Sequence, residues 1–115
     1  MAAGNEAGGG PEPVAGASAL RGKQRRYLRG LGVNLDPRVM VGKEGISPDV
    51  LSALDRALTR DELVKVRLQD SAGEDRKAVA RELAERAGVE LVQVLGRTVL
   101  LWRRNEEEPR ITLPA

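Results

Sequence analysis

Two glycines three residues apart, Gly42 and Gly45, enclose Lys43 and Glu44. Without a Cβ, such a pair lets the backbone turn sharply and lets a ligand come close to it. The amides of the turn can face an anion, and Lys43 adds a point charge beside them. The loop follows a β-rich run, Arg38 to Val41, and is followed within two residues by Ser47-Pro48. Serine caps a helix and proline suits its first position. A helix that starts there adds unpaired N–H groups and the positive end of its dipole. This is chemistry for holding a phosphate. Alone it would be weak, because Gly-x-x-Gly before a helix is in most cases only a tight turn.

The charge distribution strengthens the reading. The net charge is only +2, yet residues 19–32 carry Arg21, Lys23, Arg25, Arg26 and Arg29 with no acid. Residues 97–104 carry Arg97, Arg103 and Arg104, again with no acid. Clustered cations are the electrostatic footprint of a nucleic-acid binder, although a run of charge is more often a solvated face. Like charges at i,i+4, here Arg21/Arg25 and Arg25/Arg29, destabilise an isolated helix, so a counter-charge such as phosphate is expected. Strand, GxxG loop and helix in that order form the working part of the KH class of RNA binders, where the loop clamps backbone nucleotides. Tyr27 sits among the cations, where it can stack on a base or join the core. Trp102 shares a parity with Leu100, which favours packing on the sheet.

These residues need elements to hold them. Leu20, Tyr27, Leu28 and Leu31 recur near helical spacing and predict a first helix over 19–32, with Ser18 as its N-cap. Val50, Leu51, Leu54 and Leu58 predict a second over about 48–60. Val64, Val66 and Leu68 alternate with Lys65, Arg67 and Gln69, the period of a half-buried strand over 63–69. A turn is expected at Asp70-Ser71-Ala72-Gly73. A third helix follows from about 74 to 87, its stripe Val79, Leu83 and Ala87 and its stop Gly88. Residues 90–95 and 98–103 read as a hairpin around Gly96-Arg97. The order α-β-α-β-α-β-β predicts an α/β, two-layer α+β chain with a four-stranded mixed sheet: parallel where helices cross over, antiparallel in the terminal hairpin. Asn105 to Pro109 is a polar break, and Ile111 to Leu113 can add a short extended segment.

At these residues the chain resembles the CRM-domain, YhbY-like family. The stretch LRGKQRRYLRGLGVNLDPRVMVGKEGISPDVLSALDRAL, then ELVKVRL, then ELVQVLGRTVLLWR carries the resemblance, over about 20–104. The resemblance implies a fold similar to the C-terminal domain of translation initiation factor three. It also implies RNA binding and association with precursors of the large ribosomal subunit in bacteria; in plants, similar domains serve intron splicing. Carried over by position, its GxxG loop falls on Gly42, Lys43, Glu44 and Gly45, and its basic first-helix motif on Lys23, Gln24, Arg25 and Arg26. Its hairpin turn falls on Gly96 and Arg97. With Arg29 these are the candidate RNA contacts. Family loops usually carry a neutral polar residue where Glu44 stands, so Glu44 is expected to point away or to pair with a cation. The family's terminal aromatic is usually Tyr; here it is Trp102.

Composition bounds the rest. With 115 residues, a single domain is expected. Residues 1–18 are rich in Gly, Ala and Pro and cannot bury enough apolar surface to offset ordering, so they are expected to be a disordered tail; they do not read as a signal peptide. The folded domain is expected over 19–104, with a polar extension over 105–115. No apolar run approaches the ~20 residues of a membrane span. The chain has no cysteine and no histidine, which closes thiolate and imidazole chemistry and fits a reducing cytoplasm. No catalytic residue, metal site, cofactor or small-molecule substrate is expected, and no GxxxxGK[ST] is present. The expected partner is RNA, in particular ribosomal RNA, bound by a monomer. Duplex DNA, or an acidic protein, remains an alternative for the same cations.

Overall fold

The computed structural model describes residues 20–69 and 75–115. The tail 1–18, the Ser18 cap and the turn 70–73 lie outside the described residues. The elements run α1 (Gly22–Gly32), β1 (Pro37–Val41), α2 (Pro48–Asp61), β2 (Leu63–Leu68), α3 (Arg76–Ala87), β3 (Glu90–Leu95) and β4 (Thr98–Trp102). This is the expected order.

Local chemistry sets the ends. Helix α1 starts three residues later than the apolar periodicity suggests, because Arg21 is extended and its N–H donates to the Gln24 side-chain oxygen at 3.1 Å. Helix α2 is capped as expected: Ser47 Oγ accepts from Val50 N at 3.1 Å. Asp75 caps α3 by accepting from Ala78 N. Gly88 closes that helix at φ +70, a left-handed turn that glycine adopts without steric cost. Its N–H donates to Glu85 O, and that of Val89 to Ala84 O. These two bonds satisfy carbonyls that the last turn would otherwise leave unpaired.

The sheet order is β1-β2-β4-β3. β1 pairs with β2 in parallel, while β4 is antiparallel to both β2 and β3. β4 therefore inserts between two strands that run the same way. Strand alternation sends side chains to two different cores. Val39, Val41, Val64, Val66, Leu68, Val99 and Leu101 face Leu54 and Leu58 of α2 and Ala80 and Leu83 of α3. Leu63, Leu100 and Trp102 face the other way and pack with Val92 and with Leu28 of α1. Leu20, Leu35, Ile111 and Leu113 complete this second cluster. So α2 and α3 form the expected second layer, and α1 with the C-terminal segment covers part of the opposite face. Fully burying a residue such as Leu28 contributes about 1.5–3 kcal/mol. Gly32 allows α1 to sit close: a Cβ there would stand 2.6 Å from Leu100 Cδ2.

The C-terminal segment adds no strand, but it is tied down. Glu62 is fully buried at the end of α2, with φ +66. Its carboxylate accepts from Asn105 N at 2.7 Å and from Arg110 N and Ile111 N at 2.8 Å each. Its carbonyl accepts from Arg103 N at 2.9 Å, so the chain leaves the β4 ladder at Arg103, one residue before the expected end.

Candidate nucleic-acid interface

Gly45 N donates to Gly42 O at 3.0 Å, which closes residues 42–45 into a hydrogen-bonded turn. Gly45 has φ +77, so its lack of a Cβ is used. Lys43 and Glu44 are exposed at the tip. Among the described residues, no backbone amide bond occupies the N–H groups of Lys43 and Glu44, and no ion pair holds either side chain. Of the two expectations for Glu44, pairing with a cation is not what is found.

The start of α2 has less to offer an anion than the sequence suggested. Pro48 has no N–H, the N–H of Val50 is taken by Ser47 Oγ, and Asp49 places a carboxylate in the first turn. At this loop the groups left to face an anion are the amides of Lys43 and Glu44 and the Lys43 ammonium. The helix dipole is opposed by Asp49.

The hairpin turn reaches the same edge of the sheet. Val41, the residue before the loop, is in register with Leu68. Leu68 N donates to Arg97 O at 2.7 Å, and Gln69 N donates to Val41 O at 3.0 Å. The GxxG loop and the Gly96-Arg97 turn are thus neighbours, one on each side of the end of β2. Gly96 has φ +58 and Arg97 is exposed.

The cations of α1 divide into two kinds. Lys23 and Arg26 are exposed. Arg25 is not available in the same way: its Nη1 donates to Leu91 O at 2.7 Å and Val92 O at 3.0 Å. The β3–β4 register slips between Leu91 and Gln93, and such a bulge leaves backbone groups without ladder partners. Arg25 satisfies them and fastens α1 to β3. Arg29 is half-buried. Tyr27 is 43% exposed beside Arg26, open to stacking, whereas Trp102 is 4% exposed and belongs to the core.

The second cationic block also divides. Arg103 bonds Asp55 Oδ1 and Thr59 Oγ1, both at 2.7 Å, and so pins the exit of β4 to α2. Arg104 reaches Glu106 only at 4.0 Å. Of that block, Arg97 alone lies at the loop edge.

The model of the CRS1/YhbY (CRM) domain matches residues 20–103. The chain belongs to the CRM-domain family. The chain is 36% identical over 95 residues to "Probable RNA-binding protein YqeI" of Bacillus subtilis, covering 83% of this chain and 99% of that one. It is 32% identical over 97 residues to a Haemophilus influenzae protein named "RNA-binding protein", covering 84% and 97%. The solution structure of a hypothetical protein from Staphylococcus aureus matches with a TM-score of 0.72 at 40% identity, over 83% of this chain and 99% of that one. The fold expected from the resemblance is therefore the fold found.

Sequence reasoning missed two features of this CRM domain. Glu62 stands at the step from α2 into β2, and nothing in the local sequence marks its carboxylate as buried or its φ as positive. In the sequence, Lys65 and Arg67 are only the polar positions of an alternating strand, and Arg38 only the start of one. Register puts Lys65 and Arg67 on one face of the sheet, and Arg38 lines a cavity beside Lys65.

Proposed function

We propose that this CRM domain binds RNA and does no catalysis of its own. The phosphate backbone is held at the edge formed by Gly42, Lys43, Glu44 and Gly45 and by the Gly96-Arg97 turn. Lys23, Arg26 and Arg29 of α1 supply further attraction, and Arg25 holds that helix in place. The observation that carries the reading is the free amides of Lys43 and Glu44 beside the Arg97 turn, in a chain whose relatives are named for RNA binding. The RNA we infer is ribosomal RNA in precursors of the large subunit, with the protein acting in their maturation as a monomer in the cytoplasm.

The test is equilibrium binding to a structured ribosomal RNA fragment across a salt series. Lys43→Ala with Arg26→Ala should weaken binding about tenfold or more near 0.1 M salt and flatten the salt dependence by roughly one unit for each lost duplex contact. Unchanged affinity would remove the loop and α1 from the interface. Tighter binding to duplex DNA than to the RNA would reassign the partner.

A further inference from the structure

The face of the sheet that α1 leaves uncovered carries its own cations. Lys65 and Arg67 point to this face, as their register partners Leu100 and Thr98 do. Met40 of β1 points the same way, since Val39 and Val41 enter the opposite core, and Arg38, at the register slip between Pro37 and Val39, lines the same cavity as Leu63 and Lys65. Met40 is in register with Arg67. Three cations on two adjacent strands thus lie along one surface. Among the described residues, none of the three is held by an ion pair or a side-chain hydrogen bond. A row of cations with no direct ion pair attracts a phosphate chain.

One end of this stripe opens into a cavity of about 370 Å³. Its floor is Leu31, Leu35, Leu63 and Ile111, and its rim is Arg38, Lys65, Asp36 and Asp61. The volume is in the usual range of ligand pockets, roughly 300–1,000 Å³, and an apolar floor with a few polar groups suits a flat heterocycle. The other end reaches the GxxG edge, because Arg67 pairs with Met40, which is followed by Val41, the last residue of β1, and then by Gly42 of the loop. Met40 is 51% and Leu95 65% exposed on this same face. Cations beside exposed apolar surface suit a strand that presents both backbone and bases. A duplex presents only its backbone and groove edges.

We propose that this face carries a single-stranded RNA segment, its phosphates on Arg38, Lys65 and Arg67 and one unstacked base in the cavity beneath α1. The idea rests on the RNA-binding reading above and extends it from the loop edge across the sheet. The carboxylates of Asp36 and Asp61 at the rim can accept from the amino group of that base, as carboxylates do from cytosine.

The experiment uses the full chain, a short unstructured RNA and an RNA duplex of the same length. Arg38→Ala, Lys65→Ala and Arg67→Ala combined should weaken single-strand binding about tenfold or more and reduce its salt slope by roughly 2, at about 0.7 per contact. Arg38→Lys with Arg67→Lys should retain most of the affinity, since the charge is kept. In the unaltered protein, the methyl resonances of Leu31, Leu35 and Ile111 should shift with the single strand and not with the duplex. If the triple variant binds the single strand as the parent does, or those methyls stay still, the path is wrong. In that case Lys43→Ala with Arg26→Ala would still impair structured RNA binding, which separates this failure from failure of the broader reading. If neither set of variants alters RNA binding, both readings fall.

Discussion

Glu62 keeps a carboxylate where solvent does not reach it. Burial favours the neutral form and would raise its pKa, but three backbone N–H donors and the nearby Arg104 charge outweigh that, and the pKa is held below its ordinary value near 4.5. A carboxyl whose pKa is lower in the folded state stabilises the fold above its unfolded pKa. That stabilisation is lost as pH falls through the folded pKa. Acid should therefore loosen the C-terminal segment below about pH 4.5. Trp102, the only tryptophan, shares its cluster with Ile111 and Leu113, so its emission should shift red as the segment leaves. Glu62→Gln should remove most of this pH dependence. The variant puts an amide among three donors and should cost about 2–3 kcal/mol in urea denaturation at neutral pH, the scale of hydrogen bonds to a buried charge.

Helix α1 joins two roles that the sequence presents as one. Its basic run looks uniform, yet the bulge in β3 makes Arg25 a fastening residue and leaves Lys23 and Arg26 facing solvent. The two arginines are adjacent, and the helical turn of roughly 100° per residue sends them to different faces. Arg25→Ala should destabilise the fold by about 1–3 kcal/mol, because two strand carbonyls lose their donor. Arg26→Ala should leave stability within about 0.5 kcal/mol, as exposed substitutions do, and reduce RNA affinity instead. Thermal denaturation of the two variants beside binding curves checks this. If both lose affinity with unchanged stability, Arg25 is a ligand residue and not a fastener. Element positions were legible because each helix carries its own apolar spacing, and α2 and α3 carry end signals as well, as Ser47 and Gly88 illustrate. The start of α1 was not, since Leu20 fits the periodicity yet packs from outside the helix.

In the whole molecule the sheet separates two cores, and the C-terminal segment helps to close the smaller one. Removing residues 106–115 would take Ile111 and Leu113 from the α1 cluster and two of the three amides from Glu62. We expect a loss of about 3 kcal/mol or more, from lost apolar burial and a buried charge short of partners, read as a lower denaturation midpoint. An unchanged midpoint would mean that the segment is only laid on the surface. The sequence by itself determined the element order, the mixed sheet and the loop at 42–45, because those follow from local periodicity, turn residues and the family resemblance. Only the tertiary structure decided which charges are free to meet a ligand. Arg25 and Arg103 are taken by bonds to partners far along the chain, and Glu62 by a segment more than forty residues away. Lys65 and Arg67 share a face only through strand register, and Arg38 joins them only through the cavity it lines with Lys65. Charge is written in the sequence, but its availability depends on contacts between residues distant in the chain, which no local pattern encodes.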